Sequence, residues 1–418
     1  MIKTVITGGI PLKGSVKVSG AKNAALPLLS GLILLDGKSQ ISGVPNLTDI
    51  IVMVRMLNSL GLRCELRSDQ TVYATAEQKV KHLVPYELMT KMRASFFVAG
   101  PILAKTGFVK MPVPGGCAIG SRPVDIHLKG FEALGAVITQ EHGFFDIKAK
   151  KLKGSKVVFD FPSVGATENV MMAATLAEGV TELHNSACEP EIVDLADLLN
   201  KAGAKIKGAG TETIMIEGVT SLRGVNHEVI PDRIEAGTLM IAAAITKGDC
   251  IIENVVLDHV YPLVQKMRDM GITIEERGRN VRVCSDGIFK AVDIETRPFP
   301  GFPTDMQAQM MALLTLAKGT SVMTENIFEN RFMHAHELHR MGADIVLKDR
   351  SAIVRGVEKL SSAPIKATDL RAGAALWLAG LAAEGETEIF DEGHIVRGYD
   401  RLDEKLRKMG AKVIQSEI

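Results

Sequence analysis

The sequence predicts an α/β protein of two domains, each built from three repeats of about 70 residues. Three observations carry that expectation. A pattern of amphipathic helix, glycine and short alternating strand recurs six times along the chain. A second helix, apolar almost all round, recurs alongside it and is again followed by glycine and a β-prone stretch. The 418 residues, 46% of them hydrophobic, suffice for two or three domains with large cores.

From the N-terminus, the first pattern reads MLNSLGLRCEL, FEALGAVITQ, LNKAGAKIKG, MRDMGITIEE, LHRMGADIVL and LRKMGAKVIQ. Its glycines are Gly61, Gly135, Gly203, Gly271, Gly342 and Gly410, spaced 68 to 74 residues apart. In the last copy Tyr399, Leu402, Leu406 and Met409 share one face of a helix and charged residues fill the other. Glycine suits the position that follows, because the residue after a helix often adopts a left-handed conformation that strains an L-side chain. The second pattern includes MMAATLAEGVTELHNSA, LMIAAAITKGDCIIENV, MALLTLAKGTSVMTENIF and LWLAGLAAEGETEIFDE, with glycines at 37, 107, 179, 248, 319 and 385. Helices so apolar belong inside a domain rather than on its surface. Each repeat therefore reads as two helices and several strands. Its period exceeds the roughly 20 to 50 residues of common solenoids, which favours closed domains and divides six units into two groups of three.

Composition excludes several classes of function. Lysine plus arginine equals aspartate plus glutamate at 49 each, so no net field attracts nucleic acid or an anionic membrane. No stretch reaches the roughly 18 apolar residues of a membrane helix, and the first 20 residues lack an apolar signal core, so a cytoplasmic location is expected. The five cysteines, Cys64, Cys117, Cys188, Cys250 and Cys284, are odd in number and form no CxxC pair. That argues against a disulfide framework and a structural zinc, and leaves four of them as small core hydrophobes. No metal site is expected elsewhere, since His334, His336 and His339 do not share a helix face.

The segment MPVPGGCAIGSRPVDIH interrupts the repeat with prolines at 112, 114 and 123 and glycines at 115, 116 and 120, which puts Cys117 at the tip of a mobile loop. Arg122, five residues on, can hold a phosphate or stabilise a thiolate; an idle surface thiol is the plain alternative. In VSGAKNAALPLLSG, Lys22 and Asn23 stand before an apolar helix, where free amides and an ammonium suit an anion; a solvated lysine is the alternative. Asp305, in FPGFPTDMQAQ, is either a helix N-cap or a general base. Arg331, Arg371 and Arg397 occupy turns before helices, where a guanidinium can fork onto carboxylate or phosphate oxygens, or pair with Asp369 or Asp400.

Nine strings in order, VSGAKNAALPLL, MRASFFVAGP, PGGCAIGSRPVD, EPEIVDLADLL, PDRIEAGT, FPTDMQAQ, ENIFENRFMH, DLRAGAAL and RGYDRLDEKL, make the chain resemble the UDP-N-acetylglucosamine 1-carboxyvinyltransferases over its whole length. The resemblance implies the inside-out α/β barrel of enolpyruvyl transferases, with residues 22–229 as one three-repeat domain, 1–21 and 230–418 as the other, and the active site in the cleft between them. It implies transfer of the enolpyruvyl group of phosphoenolpyruvate to the 3-hydroxyl of UDP-N-acetylglucosamine, with loss of phosphate and no cofactor, as the first committed step of peptidoglycan synthesis.

By motif match, Lys22, Arg122 and Arg397 gather the anionic donor, with Arg93 and Arg371 nearby. Asp305 matches the base, Asn23 the group that steadies the tetrahedral intermediate, and Cys117 the acid that protonates C3 and is captured by fosfomycin-type epoxides. Pro123, Val124, Asp125, Ile126, Ser163, Val164, Gly165 and Ile327 match positions lining the sugar-nucleotide pocket. One departure is Phe161, which stands where relatives can carry lysine. The sister transferase acting on shikimate 3-phosphate lacks the PGGCxIG loop and reads PGSKSxSNR near its N-terminus, and a non-catalytic repeat scaffold leaves the cysteine loop and the scattered cations unexplained.

Overall fold

The computed structural model describes residues 1–76, 79–113 and 124–418, with the Arg93 side chain outside that set. Two compact units account for them: Met1–Ser19 with Pro231–Ile418, and the described residues of Gly20–Gly116 and Arg122–Ile230. Below they are the first and second unit.

Six apolar segments fold as buried helices, three per unit. In the first unit these are Arg233–Ile245, Gln307–Leu314 and Leu370–Ala382, which pack on one another. In the second they are Lys22–Gly31, Ala99–Thr106 and Val164–Ala174, the last packing on both others. Every residue from Ile234 to Ile245 is buried, as the uniformly apolar sequence requires. Small residues let the backbones approach: a Cβ on Gly100 would lie 2.2 Å from the carbonyl oxygen of Asn169 on the neighbouring helix.

Around each helix set lie three small sheets. The strand Asp249–Glu253 pairs antiparallel with Asn280–Cys284 and parallel with Lys13–Lys17, while Thr273–Arg277 closes a hairpin on Asn280–Cys284. Alternation sends Cys250, Ile252, Val281 and Val283 inward, which places the sheet's apolar face on the helices. The strand Ile2–Thr7 lies between Glu386–Asp391 and Lys412–Glu417, antiparallel to both, so the N-terminal segment shares a sheet with the C-terminal one.

The amphipathic helices end as their glycines predict. After the helix Leu402–Lys408, Gly410 adopts φ +93° and donates to the Arg407 carbonyl, and Ala411 donates to that of Leu406. This pair of bonds satisfies carbonyls that the helix end leaves open. Gly61, Gly135, Gly203, Gly271 and Gly342 make the same two-bond arrangement with positive φ. The expectation for cysteine needs correction: Cys64 and Cys250 are buried, but Cys188 and Cys284 are only half-buried. Cys188 lies in the loop between the strand Val180–His184 and the helix Pro190–Lys201, and Cys284 ends the strand Asn280–Cys284 on the face opposite the buried Val281 and Val283.

Candidate functional site

Within each unit, Lys22, Ser163, Asp305 and Arg371 lie at or just before the N-terminal turns of buried helices, where unsatisfied amides and the helix dipole favour anions. In the second unit Lys22 is the first residue of its helix, and its Nζ lies 3.3 Å from Oδ2 of Asp49, on the helix Thr48–Ser59. The lysine side chain is only 11% exposed, which sets aside the solvated-lysine alternative. Asn23, next on the same turn, is half-buried.

Ser163 caps the helix Val164–Ala174, its Oγ accepting from Ala166 N at 3.4 Å. Gly165 follows where a Cβ would lie 3.3 Å from the rings of both His127 and Phe97. Val124, Asp125 and Ile126 begin the helix Asp125–Ala133, and Ile126 shares a shallow cleft with Lys129, Lys156, Phe159 and Asp160. Phe161 is 41% exposed. Beneath Ser163, Glu168 is fully buried, and neither carboxyl oxygen has a hydrogen-bond partner among the described residues. Burial, reinforced by the charges of Glu191 and Glu189, pushes its pKa well above the carboxylate range, so it is held as the neutral acid.

In the first unit Asp305 lies in the 3₁₀ turn Thr304–Met306, ahead of the helix Gln307–Leu314. It caps neither element. Its Oδ1 accepts from Arg331 Nη2 at 2.8 Å and its Oδ2 from Arg371 Nη2 at 2.7 Å. Both guanidinium groups are buried, at 3% and 6% side-chain exposure, whereas the carboxylate keeps 26%. The helix-capping alternative for Asp305 and the Asp369 pairing alternative for Arg371 both give way: Asp369 caps Arg371 N and Ala372 N at 2.8 and 3.1 Å, leaving the guanidinium to Asp305. Burial would lower the Arg371 pKa, but the charge of Asp305 outweighs it and holds the group firmly protonated. Arg331 Nη1 has no protein hydrogen-bond partner among the described residues, which leaves a buried N–H beside the carboxylate.

Glu325 ties this turn to the next. Its Oε2 accepts from Thr304 Oγ1 at 2.9 Å, and its Oε1 accepts from Ile327 N at 2.8 Å and Phe328 N at 3.2 Å. Ile327 is thereby held at a fixed offset from Asp305. Arg397 ends the half-exposed 3₁₀ turn Ile395–Arg397, which Asp391 holds by accepting from Ile395 N at 3.1 Å. Cys117, Arg122 and Pro123, with the side chain of Arg93, lie outside the described residues.

Sequence reasoning singled out Arg331 without committing it to the site, and passed over Asp49, Glu168 and Glu325. A lone glutamate inside the apolar run ATENVMMAA was a usable signal. Asp49 and Glu325 carried none, because only the folded backbone brings them to Lys22 and Thr304. Among the described residues no cluster of His, Cys, Asp and Glu could hold a metal, and no helix is long and apolar enough to cross a membrane.

Comparison with known proteins gives the same picture at three depths. The family profile of EPSP synthase (3-phosphoshikimate 1-carboxyvinyltransferase) matches residues 6–406. The chain is 56% identical to UDP-N-acetylglucosamine 1-carboxyvinyltransferase 1 of Caldanaerobacter subterraneus subsp. tengcongensis, over 98% of this chain and 99% of the relative. It is 57% identical to UDP-N-acetylglucosamine 1-carboxyvinyltransferase 2 of Carboxydothermus hydrogenoformans, over 99% of both. Among solved structures it superposes on the enolpyruvyl transferase NikO of Streptomyces tendae with a TM-score of 0.90 at 23% identity, over 99% of both chains. On EPSP synthase of Acinetobacter baumannii the TM-score is 0.77 at 19% identity, over the full length of both.

Proposed function

The chain belongs to the family of UDP-N-acetylglucosamine 1-carboxyvinyltransferases, within the wider enolpyruvyl transferases, and from that premise we infer that it moves the enolpyruvyl group of phosphoenolpyruvate onto the 3-hydroxyl of UDP-N-acetylglucosamine. Phosphate leaves, and the product enters peptidoglycan synthesis. Both substrates are soluble metabolites of the cytoplasm, which is where the protein would act. The observation that carries the reading at the level of the site is the partly exposed Asp305 carboxylate held between two buried guanidinium groups.

That arrangement suits the chemistry. Arg331 and Arg371 orient the carboxylate, so Asp305 can take the sugar hydroxyl proton as attack on C2 proceeds. Lys22, Arg122 and Arg397 hold the phosphate, with Arg93 close by. Asn23 steadies the tetrahedral intermediate. Cys117 gives the proton to C3. Val124, Asp125, Ile126, Ser163, Val164, Gly165, Ile327 and Pro123 line the sugar-nucleotide pocket.

Phosphate release from phosphoenolpyruvate tests the assignment. It should require UDP-N-acetylglucosamine and be absent with shikimate 3-phosphate. Cys117→Asp should retain turnover and resist a fosfomycin-type epoxide, whereas Cys117→Ser should lose most turnover, because a hydroxyl is far too weak an acid. Release with shikimate 3-phosphate instead, or full activity in Cys117→Ser, would sink the reading of substrate or acid respectively.

A further inference from the structure

Thr238, Gln309 and Tyr399 form a triangle of polar side chains inside the first unit, each at most 2% exposed. Thr238 lies on the helix Arg233–Ile245, Gln309 on Gln307–Leu314, and Tyr399 two residues past the turn Ile395–Arg397. Gln309 Nε2 is 3.0 Å from Tyr399 Oη and 3.3 Å from Thr238 Oγ1, and the two hydroxyl oxygens are 3.0 Å apart.

The protons can be assigned by elimination. Thr238 donates its hydroxyl proton to the Ile234 carbonyl at 2.8 Å, so it can only accept from the other two. The carboxamide nitrogen donates one proton to each hydroxyl oxygen. The phenol proton of Tyr399 is then left for Thr238 Oγ1. Two helices thus hold the phenol in one orientation. Burial raises the Tyr399 pKa, against the opposing charge of Arg371, so the proton stays on the ring oxygen.

Tyr399 also meets Arg371, the arginine that binds the candidate base. The Arg371 guanidinium carbon lies 5.5 Å from the centre of the Tyr399 ring, and its Nη2 is 2.7 Å from Asp305 Oδ2. Arg371, Asp305 and Asp232 are the charged groups acting here, with Arg331 on the far oxygen of Asp305. The donors of the triangle are all used, while Gln309 Oε1 is buried with no partner among the described residues; apolar side chains of the same size would avoid that cost, so the retained bonds are expected to serve geometry rather than stability.

We propose that Tyr399 is a positioning residue: locked by Thr238 and Gln309, it fixes the Arg371 guanidinium and through it the orientation of the Asp305 carboxylate. The role rests on the reading of Asp305 as the base, and nothing in the resemblance assigns it.

Tyr399→Phe removes only the hydroxyl, and Thr238→Val removes its acceptor at a distance from Arg371. Both should lower kcat, roughly tenfold for Tyr399→Phe and less for Thr238→Val, with KM for the sugar nucleotide changed by no more than about twofold. A carboxyl ¹³C NMR titration, with the Asp305 signal identified from Asp305→Asn, reads the same device without turnover. The Asp305 midpoint should move up in both variants, because a less constrained guanidinium stabilises the anion less. A lowered melting temperature with kcat and the Asp305 midpoint unchanged in both variants would overturn the proposal and leave the triangle as core packing alone. If Tyr399→Phe fails to fold, Thr238→Val carries the test by itself. Should the parent protein lack enolpyruvyl transfer, the functional reading fails, while the NMR titration still decides whether Tyr399 governs Asp305.

Discussion

Asp305 shows how a residue's role depends on what reaches it. Its position after three prolines and before a helix fits a cap, yet both oxygens are held by arginines from segments 26 and 66 residues away in sequence. Asp305→Asn should therefore do two things. The amide cannot accept the hydroxyl proton, so kcat should fall on the order of 10² to 10⁴-fold, while calorimetric affinity for UDP-N-acetylglucosamine stays within a few-fold. Two buried guanidinium groups also lose their counter-charge, so the melting temperature should drop; breaking a buried pair costs about 3 to 5 kcal/mol, and the partial exposure of Asp305 puts this case at the low end. Near-normal turnover in this variant would remove Asp305 from the chemistry.

At the scale of elements, the glycine after each amphipathic helix has a defined conformational reason. Gly203 and Gly410 adopt φ +109° and +93°, and a Cβ at either would meet nothing within 4 Å, so any effect of adding one is backbone strain rather than collision. Gly203→Ala and Gly410→Ala should each cost about 1 kcal/mol in chemical denaturation, with kcat unchanged. The two lie in different units and should act independently. No loss in either variant would mean that the helix end relaxes out of the left-handed conformation. The helix starts follow a different logic. Asp232, Asp369 and Ser163 cap theirs with side-chain oxygens, whereas Lys22 opens its helix with no side-chain cap and brings a cation to free amides.

For the molecule as a whole, the informative charge is one that the fold suppresses. Glu168 has a folded pKa raised well above the 4.5 of an exposed glutamate. Below that unfolded value both states hold the proton and the contribution to stability is complete. As pH rises past it, the unfolded chain ionises and the folded one cannot, so stability falls, by at most about 1.4 kcal/mol per pH unit, until the folded pKa is passed. Glu168→Gln has no proton to lose. Its melting temperature relative to the parent should therefore climb between pH 4 and pH 8, and a constant difference across that range would show that Glu168 does not carry this penalty. By itself the sequence determined the α/β class, the sixfold pattern, the glycine-ended helices and the family, because periodicity and turn chemistry are local and nine motifs in order are specific. It also marked Lys22, Asp305 and Arg371 as candidates. Only the tertiary structure decided their partners: Asp49 for Lys22, Arg331 and Arg371 for Asp305, Tyr399 beside Arg371, and a proton on Glu168. Those outcomes depend on burial and on distances between segments far apart in the chain, quantities that no local pattern of residues contains.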